Sequence, residues 1–538
     1  MKEVNLLTFL LLSIAVIIGC IVFSKISNRL GLPMLLAFIL LGMFFGSDGV
    51  VKIDFDNYSL AGSICSVALI FIMFYGGFGT RWEEAKTVAK KAVMLSTIGV
   101  VITAGLTALF CMFVLRMKPL ESLLLGSIVS STDAASVFSI LRSKKLNLKY
   151  KTASLLELES GSNDPIAYML TIGVLSLMGD PSYTQSLPVL LLQQIVVGVV
   201  AGVIIAYASI EIVNRFNFDA QGFDTIFVFA IALLAYALPT LIGGNGYLSV
   251  YLLGIIMGNR PLRNKKQLVH FFDGITGLMQ MLIFFLLGLL SFPSEMPKVI
   301  VPALLIAIFL TIVARPVSIY LLLKPFGSPK EQIWLTSLAG LRGAASIVFA
   351  TLVIVSPAYT EHDLFHIVFC IVLFSILIQG YLLPYASKRW QMIDSESNVM
   401  KTFNDFSESL PIQFVKVKLD KGHPWLNMKI KDIILPPETL IVAINRGTKK
   451  IPLNGDTNIY EMDELIIAAR SIEDKDTQKI TEITIEPSHK WQGKTISEID
   501  LDIGNLVLLI VRQQDILIPS GQTLLTSGDM VYISTLKD

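Results

Sequence analysis

Charge is scarce in this chain: only 16% of its 538 residues are Asp, Glu, Lys or Arg, against 53% hydrophobic, and the formal net charge is +1. A soluble domain of this size keeps more charge on its surface, so the composition points to lipid. So even a balance excludes nucleic acid as the main partner. The four cysteines (Cys20, Cys65, Cys111, Cys370) all fall inside apolar stretches with no paired spacing, which excludes a disulfide framework or a thiolate metal cluster. Five histidines are scattered; His362 and His366 stand one helical turn apart beside Glu361 and Asp363 but lack a third ligand for a metal. A phosphate-binding Gly-x-x-x-x-Gly-Lys-Ser/Thr loop is missing, so no nucleotide-driven step and no cofactor or enzymatic reaction is expected. The first apolar run, Asn5 to Ser27, is too long for a signal peptide and lacks a small-residue cleavage site, so it reads as a membrane span.

What is abundant is long apolar sequence. Up to about Tyr385, apolar runs alternate with short polar ones. At ~20 residues per span, they predict helices near 5–27, 32–47, 60–79, 91–115, 120–142, 154–178, 188–213, 222–241, 246–259, 270–291, 299–323, 332–356 and 364–386. The fold class expected is an all-α polytopic membrane protein of about 13 transmembrane helices. The runs at 32–47 and 246–259 are short enough to be tilted or partly re-entrant. Lys and Arg gather in the loops after the odd-numbered spans, as in Arg81, Lys86, Lys90 and Lys91, then Arg142, Lys144, Lys145, Lys149 and Lys151, then Arg260, Arg263, Lys265 and Lys266. The alternate loops carry only Lys52, Arg116, Lys118 and Lys298. That asymmetry places the N-terminus outside and the C-terminus in the cytoplasm.

After Lys388 and Arg389 the composition changes. Residues 390–409 are polar and aperiodic; from Leu410 short alternating strands begin, such as Gln413–Leu419, Leu440–Asn445 and Leu465–Ala468. Leu440-Ile-Val-Ala-Ile-Asn-Arg446, Gly455, Thr457 and Asp463 recur as Leu506-Val-Leu-Leu-Ile-Val-Arg512, Gly521, Thr523 and Asp529. The expected organisation is a transmembrane domain over 1–389, a linker over 390–409 and two copies of a small α/β module over 410–472 and 473–538.

Ionisable groups inside apolar helices are costly and default to a functional reading. The sixth span reads Glu157-Leu-Glu159-Ser160-Gly-Ser-Asn163-Asp164-Pro165. Ser160 and Asp164 are i,i+4 neighbours on one face, with Glu159 and Asn163 beside them. Pro165 offers no N–H to the carbonyl of Gly161, which becomes available to a cation or water. The preceding span carries Ser130-Ser131-Thr132-Asp133, small hydroxyl residues that support a locally unwound backbone. Asp133 is either a second site acid or the cap of a broken helix; Glu157 faces either a neighbouring helix or a cytoplasmic funnel. Two cations are also buried, Arg315 and Arg342, and are expected in ion pairs, Glu159 being a partner. Asp164 has more acids than bases around it. One carboxylate holding either a proton or a cation, never both, couples two fluxes without ATP.

The Thr132-Asp133 pair, the Glu159-Ser160-x-x-Asn163-Asp164 run, the Ala314-Arg315-Pro316 step and the Gly340-Leu-Arg-Gly-Ala segment together resemble the cation–proton antiporter superfamily, in its NhaP-type branch. The likeness spans roughly 5–390. It implies a homodimer whose protomers carry a core of inverted repeats with two crossed, interrupted helices, in a bacterial inner membrane. On that pattern Asp164 resembles the carboxylate that binds K⁺ or Na⁺ and the proton, Ser160 and the Thr132 backbone resemble further ligands, Asn163 steadies the site, and Glu159 resembles the partner of Arg315. Asn before the Asp resembles electroneutral members. Many members follow Thr-Asp with Pro, where this chain has Ala134. The tail resembles paired TrkA-C (RCK-C) domains. No Gly-x-Gly-x-x-Gly follows a strand, so the ligand implied is a small cytosolic regulator, a cyclic dinucleotide or other nucleotide. The resemblance favours K⁺/H⁺ antiport, with Na⁺/H⁺ antiport as the alternative. A cation channel with a cytosolic gating ring is the competing class, motivated by Gly243-Gly244-Asn245-Gly246-Tyr247, which faintly resembles a carbonyl-lined filter.

Overall fold

Long apolar runs fold as helices because a helix satisfies its own backbone polar groups where no water reaches them. A computed structural model describes residues 14–23, 25, 34–143, 146, 148–182, 185–216, 222–358, 360–394, 412–436, 439–446, 449–451, 453–470, 479–501, 506–512, 515–517 and 519–535. The start of the first expected span, the Lys144-Lys145 pair and most of the expected linker lie outside these residues. The chain divides into two compact units, Met1–Glu408 and Ser409–Asp538.

The first unit contains α1 (Ile14–Phe23), α2 (Met34–Phe45), α3 (Tyr58–Gly79), α4 (Ala89–Phe113), α5 (Pro119–Ile128), α6 (Ala134–Ser143), α7 (Thr152–Leu177), α8 (Leu187–Arg215), α9 (Phe223–Leu241), α10 (Gly246–Gly258), α11 (Lys265–Leu290), α12 (Met296–Phe326), α13 (Lys330–Leu338), α14 (Ala344–Val355) and α15 (Leu364–Arg389). Among the described residues, seven of these are long and apolar enough to cross a membrane: α3, α4, α8, α9, α11, α12 and α15. Two of the expected spans, 120–142 and 332–356, are each split, the first within the run expected to be locally unwound. Residues 129–133 separate α5 from α6, and residues 339–343 separate α13 from α14. Ala134 in place of Pro does not prevent the first break. Helix α7, in contrast, runs on through Pro165.

Helices α2 and α11 meet backbone to backbone: a Cβ on Gly42 would lie 2.2 Å from the carbonyl oxygen of Phe285, and one on Gly288 2.2 Å from that of Ile39. Such small-residue contacts substitute for the hydrophobic drive that is missing between helices in lipid. The outer faces of α8, α9 and α12 expose Leu192, Ile204, Leu241 and Ile312. Three π-helical turns interrupt the helices, Leu95–Gly99 in α4, Leu310–Ala314 in α12 and Ser375–Gln379 in α15, and Ser375 of the last reaches the second break at Arg342. The filter-like Gly243–Tyr247 segment is a turn: Gly243 has φ +77°, and Asn245 caps α10, accepting from the Leu248 amide at 3.0 Å. The channel reading thereby loses its motivation.

In the second unit β1 (Ile412–Lys418), β2 (Thr439–Arg446), β3 (Lys449–Ile451) and β4 (Asp463–Arg470) form an antiparallel sheet of order β1-β4-β2-β3. Strands β5 (Lys479–Thr484), β6 (Leu506–Arg512), β7 (Asp515–Leu517) and β8 (Met530–Thr535) repeat it as β5-β8-β6-β7. Both copies carry a bulge at one place, between Ile441 and Ala443 and between Val507 and Leu509. The α/β reading needs correction here. Among the described residues the modules contain strands and single 3₁₀ turns, Ile430–Asp432 and Ile496–Glu498, because these polar-flanked segments are too short to carry a helix.

An Arg–Asp ion pair recurs at the same place in both sheets. Arg446 donates through Nε to Asp463 at 2.7 Å, and Arg512 does so to Asp529 at 2.7 Å. Burial works to raise the carboxyl pKa of both acids. Bonds from the guanidinium and from the amides of Tyr460 and Thr526 outweigh it and hold each below the ordinary range. The unfolded chain therefore binds these protons more readily, so their contribution is full above about pH 4 and is lost as pH falls through the lower folded value. In the full chain, the protection of the β4 and β8 amides against hydrogen exchange, relative to the unfolded chain at the same pH, should fall in that acid window. Asp529→Asn should slow the acid response of β8 while leaving that of β4 in place.

Candidate functional site

A broken helix leaves carbonyls at one end and amides at the other without partners, and each end carries part of the helix dipole. Here the two breaks satisfy one another. The Asp133 amide donates to the carbonyl of Leu341 at 2.8 Å. The Arg342 Nη1 donates to the carbonyls of Ser130 at 2.9 Å and Ser131 at 2.7 Å, placing a cation at the carbonyl end of α5. The Arg342 amide is taken by Ser375 Oγ at 2.9 Å, within the π-helical turn of α15. Asp133 caps α6, accepting from the Ser136 amide at 3.3 Å and the Ser136 hydroxyl at 2.5 Å. The contact is tight: a Cβ on Gly343 would fall 2.3 Å from Asp133 Oδ2 and 2.4 Å from its Cβ. Gly343→Ala should therefore lower the thermal midpoint in detergent, at an overpacking cost of about 1–3 kcal/mol. Gly274→Ala, with open space around it, should not.

Helix α7 runs alongside these breaks. Ser160 Oγ donates to the Thr132 carbonyl at 2.7 Å, and Asn163 Nδ2 to Thr132 Oγ1 at 2.5 Å, so α7 grips the unwound residues through two side chains of one face. Asn163 Oδ1 is left buried without a donor. Asp164 accepts from the Ser131 hydroxyl, and Asp133 lies close enough for the two carboxyl groups to interact. Among the described residues no Lys or Arg makes a salt bridge with Asp164. Its surface is partly open, whereas Glu159 and Asn163 are fully enclosed.

The remaining charges are committed elsewhere. Glu159 and Arg315 meet at 2.5 Å with side chains 1% and 2% exposed. Arg342 lies within range of both charges of that pair, but its bonds go to backbone carbonyls. The expected ion pair for Arg342 is thus replaced by a backbone role, since two carbonyls at the negative end of a helix dipole accept its guanidinium. The structure brings Thr132, Asp133, Ser160, Asn163 and Asp164 together around one spot, with Glu159 and Arg315 packed beside it. Ser131, the hydroxyl on Asp164, was read only as part of the unwound run. The i,i+4 logic works within a helix and gives no signal across two of them.

The pattern of the family described as "Sodium/hydrogen exchanger, transmembrane" matches residues 12–388, and that of the TrkA-C domain matches 414–471 and 480–538. The chain is 34% identical over 474 residues to a K(+)/H(+) antiporter NhaP of Alkalimonas amylolytica, covering 87% of this chain and 81% of that one. It is 34% identical over 454 residues to a K(+)/H(+) antiporter NhaP2 of Shewanella oneidensis, covering 83% and 78%. A relative from Methanocaldococcus jannaschii named Na(+)/H(+) antiporter 1 is 29% identical over 362 residues, covering 64% and 82%. In fold, the chain is similar to the sodium proton antiporter MjNhaP1 of the same organism at pH 8, with TM-score 0.63 and 24% identity, covering 70% of this chain and 97% of that one. The resemblance read from four short motifs thus extends over the whole helical unit. The chain belongs to the sodium/hydrogen exchanger family, and two TrkA-C domains follow its membrane part.

Proposed function

We propose that this protein exchanges a monovalent cation for protons at Asp164, by alternating access and without net charge movement. One observation carries the reading: Asp164 has a hydroxyl for a partner and no cation, while both nearby arginines are spent on Glu159 and on the breaks. At the level of the breaks, two guanidinium groups (Arg315, Arg342) face three carboxyl groups (Asp133, Glu159, Asp164), which leaves one negative charge when all are ionised. One proton or one monovalent cation neutralises it, and binding both would overshoot. That is competition at a single site, and it makes the exchange electroneutral. Asn163 Oδ1, buried without a donor, is an acceptor suited to a metal ion. Ser160 and the Thr132 backbone complete the ion's surroundings, Asp133 holds the broken helix beside it, and Glu159 with Arg315 is a structural pair.

The cation is K⁺, in keeping with the names of the more similar relatives and with the TrkA-C tail; Na⁺ is the second reading, in keeping with the archaeal relative. About 13 transmembrane spans in inverted repeats place the N-terminus outside and the tail in the cytoplasm of a bacterial inner membrane. The transmembrane domain occupies 1–389, the linker 390–409, and the ligand-sensing modules 410–472 and 473–538. The working unit is a homodimer, and the tail answers to a small cytosolic ligand such as a cyclic dinucleotide or another nucleotide. Dequenching of a pH dye in everted vesicles, on addition of K⁺, Na⁺, Li⁺ or Rb⁺ from neutral to alkaline pH, tests exchange and selectivity together. Proton release should be largest with K⁺. Single-channel current steps would overturn the carrier reading in favour of a pore.

A further inference from the structure

A second group of oxygens lies along α7 from Asp164, toward the end of the helix that follows Lys149 and Lys151. Glu157, Gly161 and Asp164 are spaced i, i+4, i+7 and so share one face of α7. On that face rests Tyr251 of α10. A Cβ on Gly161 would fall 2.5 Å from its ring and 2.6 Å from its hydroxyl oxygen, so the ring sits where any larger residue would stand. Tyr251 is 2% exposed, and its hydroxyl makes no hydrogen bond of ordinary geometry. Around that hydroxyl lie the side chains of Ser162, Thr80, Glu157 and Asp164.

The chemistry of this group is specific. Ser162 Oγ gives its hydrogen to the Leu158 carbonyl at 2.7 Å, and Thr80 Oγ1 gives its own to the Gly76 carbonyl at 2.9 Å. Both therefore present lone pairs alone to their surroundings. Two such hydroxyls, a phenol oxygen and a carboxyl group are hard oxygen donors with a negative charge among them, the set that suits an alkali cation. A buried phenol whose hydroxyl meets its neighbouring oxygens without a well-aligned hydrogen bond costs stability unless something occupies the space among them for part of the working cycle. Thr80 caps α3 just before Arg81, and α10 ends before Arg260, so the group lies toward the basic loops.

We propose that Tyr251, Ser162, Thr80 and Glu157 form a second subsite for the monovalent cation, which the ion occupies on its way between the basic-loop face and Asp164. The inference rests on the exchange reading above. It makes Tyr251 and Glu157 residues that touch the ion in transit, whereas Asp164 is where ion and proton compete.

Tyr251→Phe keeps the ring on Gly161 and removes only the oxygen; Glu157→Gln keeps the shape and removes the charge. In the full-length protein, the half-saturating K⁺ concentration would be measured from the basic-loop face in everted vesicles and from the other face in right-side-out ones. Both variants should raise it by about five-fold from the basic-loop face, as expected for one lost polar ligand, and leave it unchanged from the other. Ser162→Ala gives the same readout should a Tyr251 variant fail to fold. Half-saturation equal to the parent's, or raised equally from both faces, overturns the subsite. Exchange that persists in Asp164→Asn overturns the reading beneath it. A silent Asp164→Asn with parent-like Tyr251→Phe and Glu157→Gln removes the subsite alone.

Discussion

Everted vesicles carrying Asp164→Asn release no protons on addition of K⁺ or Na⁺ beyond those of vesicles without the protein, while the chain still inserts and folds. Asn has nearly the shape of Asp and can still accept from Ser131 through its carbonyl oxygen, so the contact that orients this residue survives. It cannot ionise, so it neither releases a proton nor offers a charge to a cation. The local sum of two positive and three negative groups loses its surplus charge, and nothing remains for a cation to neutralise. Asp133→Asn is the informative contrast. Asp133 caps α6 and keeps an acceptor after the change, so exchange should fall only in part. Equal loss in both variants would mean that the two acids act as one ligand set. Undiminished proton release from Asp164→Asn would remove the mechanism.

Removing one member of the Glu159–Arg315 pair should cost the fold about 3–5 kcal/mol, which approaches the whole stability of a marginal protein. Both side chains are enclosed, and no hydrogen bond of ordinary geometry reaches either carboxylate oxygen of Glu159. Glu159→Ala leaves Arg315 without its paired counter-charge and within range of Arg342, two like charges whose nearest shared acid is gone. Arg315→Ala leaves an unpaired carboxylate beside Asp164 and adds a second surplus negative charge. A double replacement by apolar residues of similar volume should recover most of the loss, because the isolated charge costs more than the pair contributes. Thermal midpoints and the monodisperse fraction in detergent separate these cases. Single variants as stable as the parent would show that the pair is solvated, contrary to its burial.

Residues that are expensive in lipid identify themselves in sequence. Asp164, Glu159, Arg315 and Arg342 stood out because a charge in an apolar run requires a reason. Their neighbours within α7 followed from helical spacing. Apart from Glu159 with Arg315, which the family resemblance implied, partnerships formed only when distant segments meet could not be read. Arg342 was paired in expectation with an acid, the usual partner of a buried guanidinium. Its actual partners are carbonyls of a helix break about 200 residues earlier, acceptors invisible to side-chain reasoning. The second break fell in a run whose residues, Ala339-Gly-Leu-Arg-Gly343, keep enough apolar character to pass as continuous helix. Tyr251 is silent for a related reason, since a tyrosine within an apolar run usually packs. The tail reads well where alternation governs. Leu419, Ile433, Ile441, Ile444, Ile459, Leu465 and Ile467 of the first core recur as Ile485, Ile499, Val507, Ile510, Leu525, Val531 and Ile533 of the second. The Arg–Asp pairs, each with its Asp buried and its Arg partly exposed, recur with them, though nothing in the strand pattern announced that these two residues would meet.

One binding place, occupied by H⁺ or by a metal ion in turn, makes a quantitative demand on the intact protein. The half-saturating K⁺ concentration should rise about ten-fold for each unit the pH falls on the acid limb, with the maximal rate unchanged, because each ligand displaces the other. Half-saturation that stays constant as pH falls, or a bound state holding proton and K⁺ together, would contradict it.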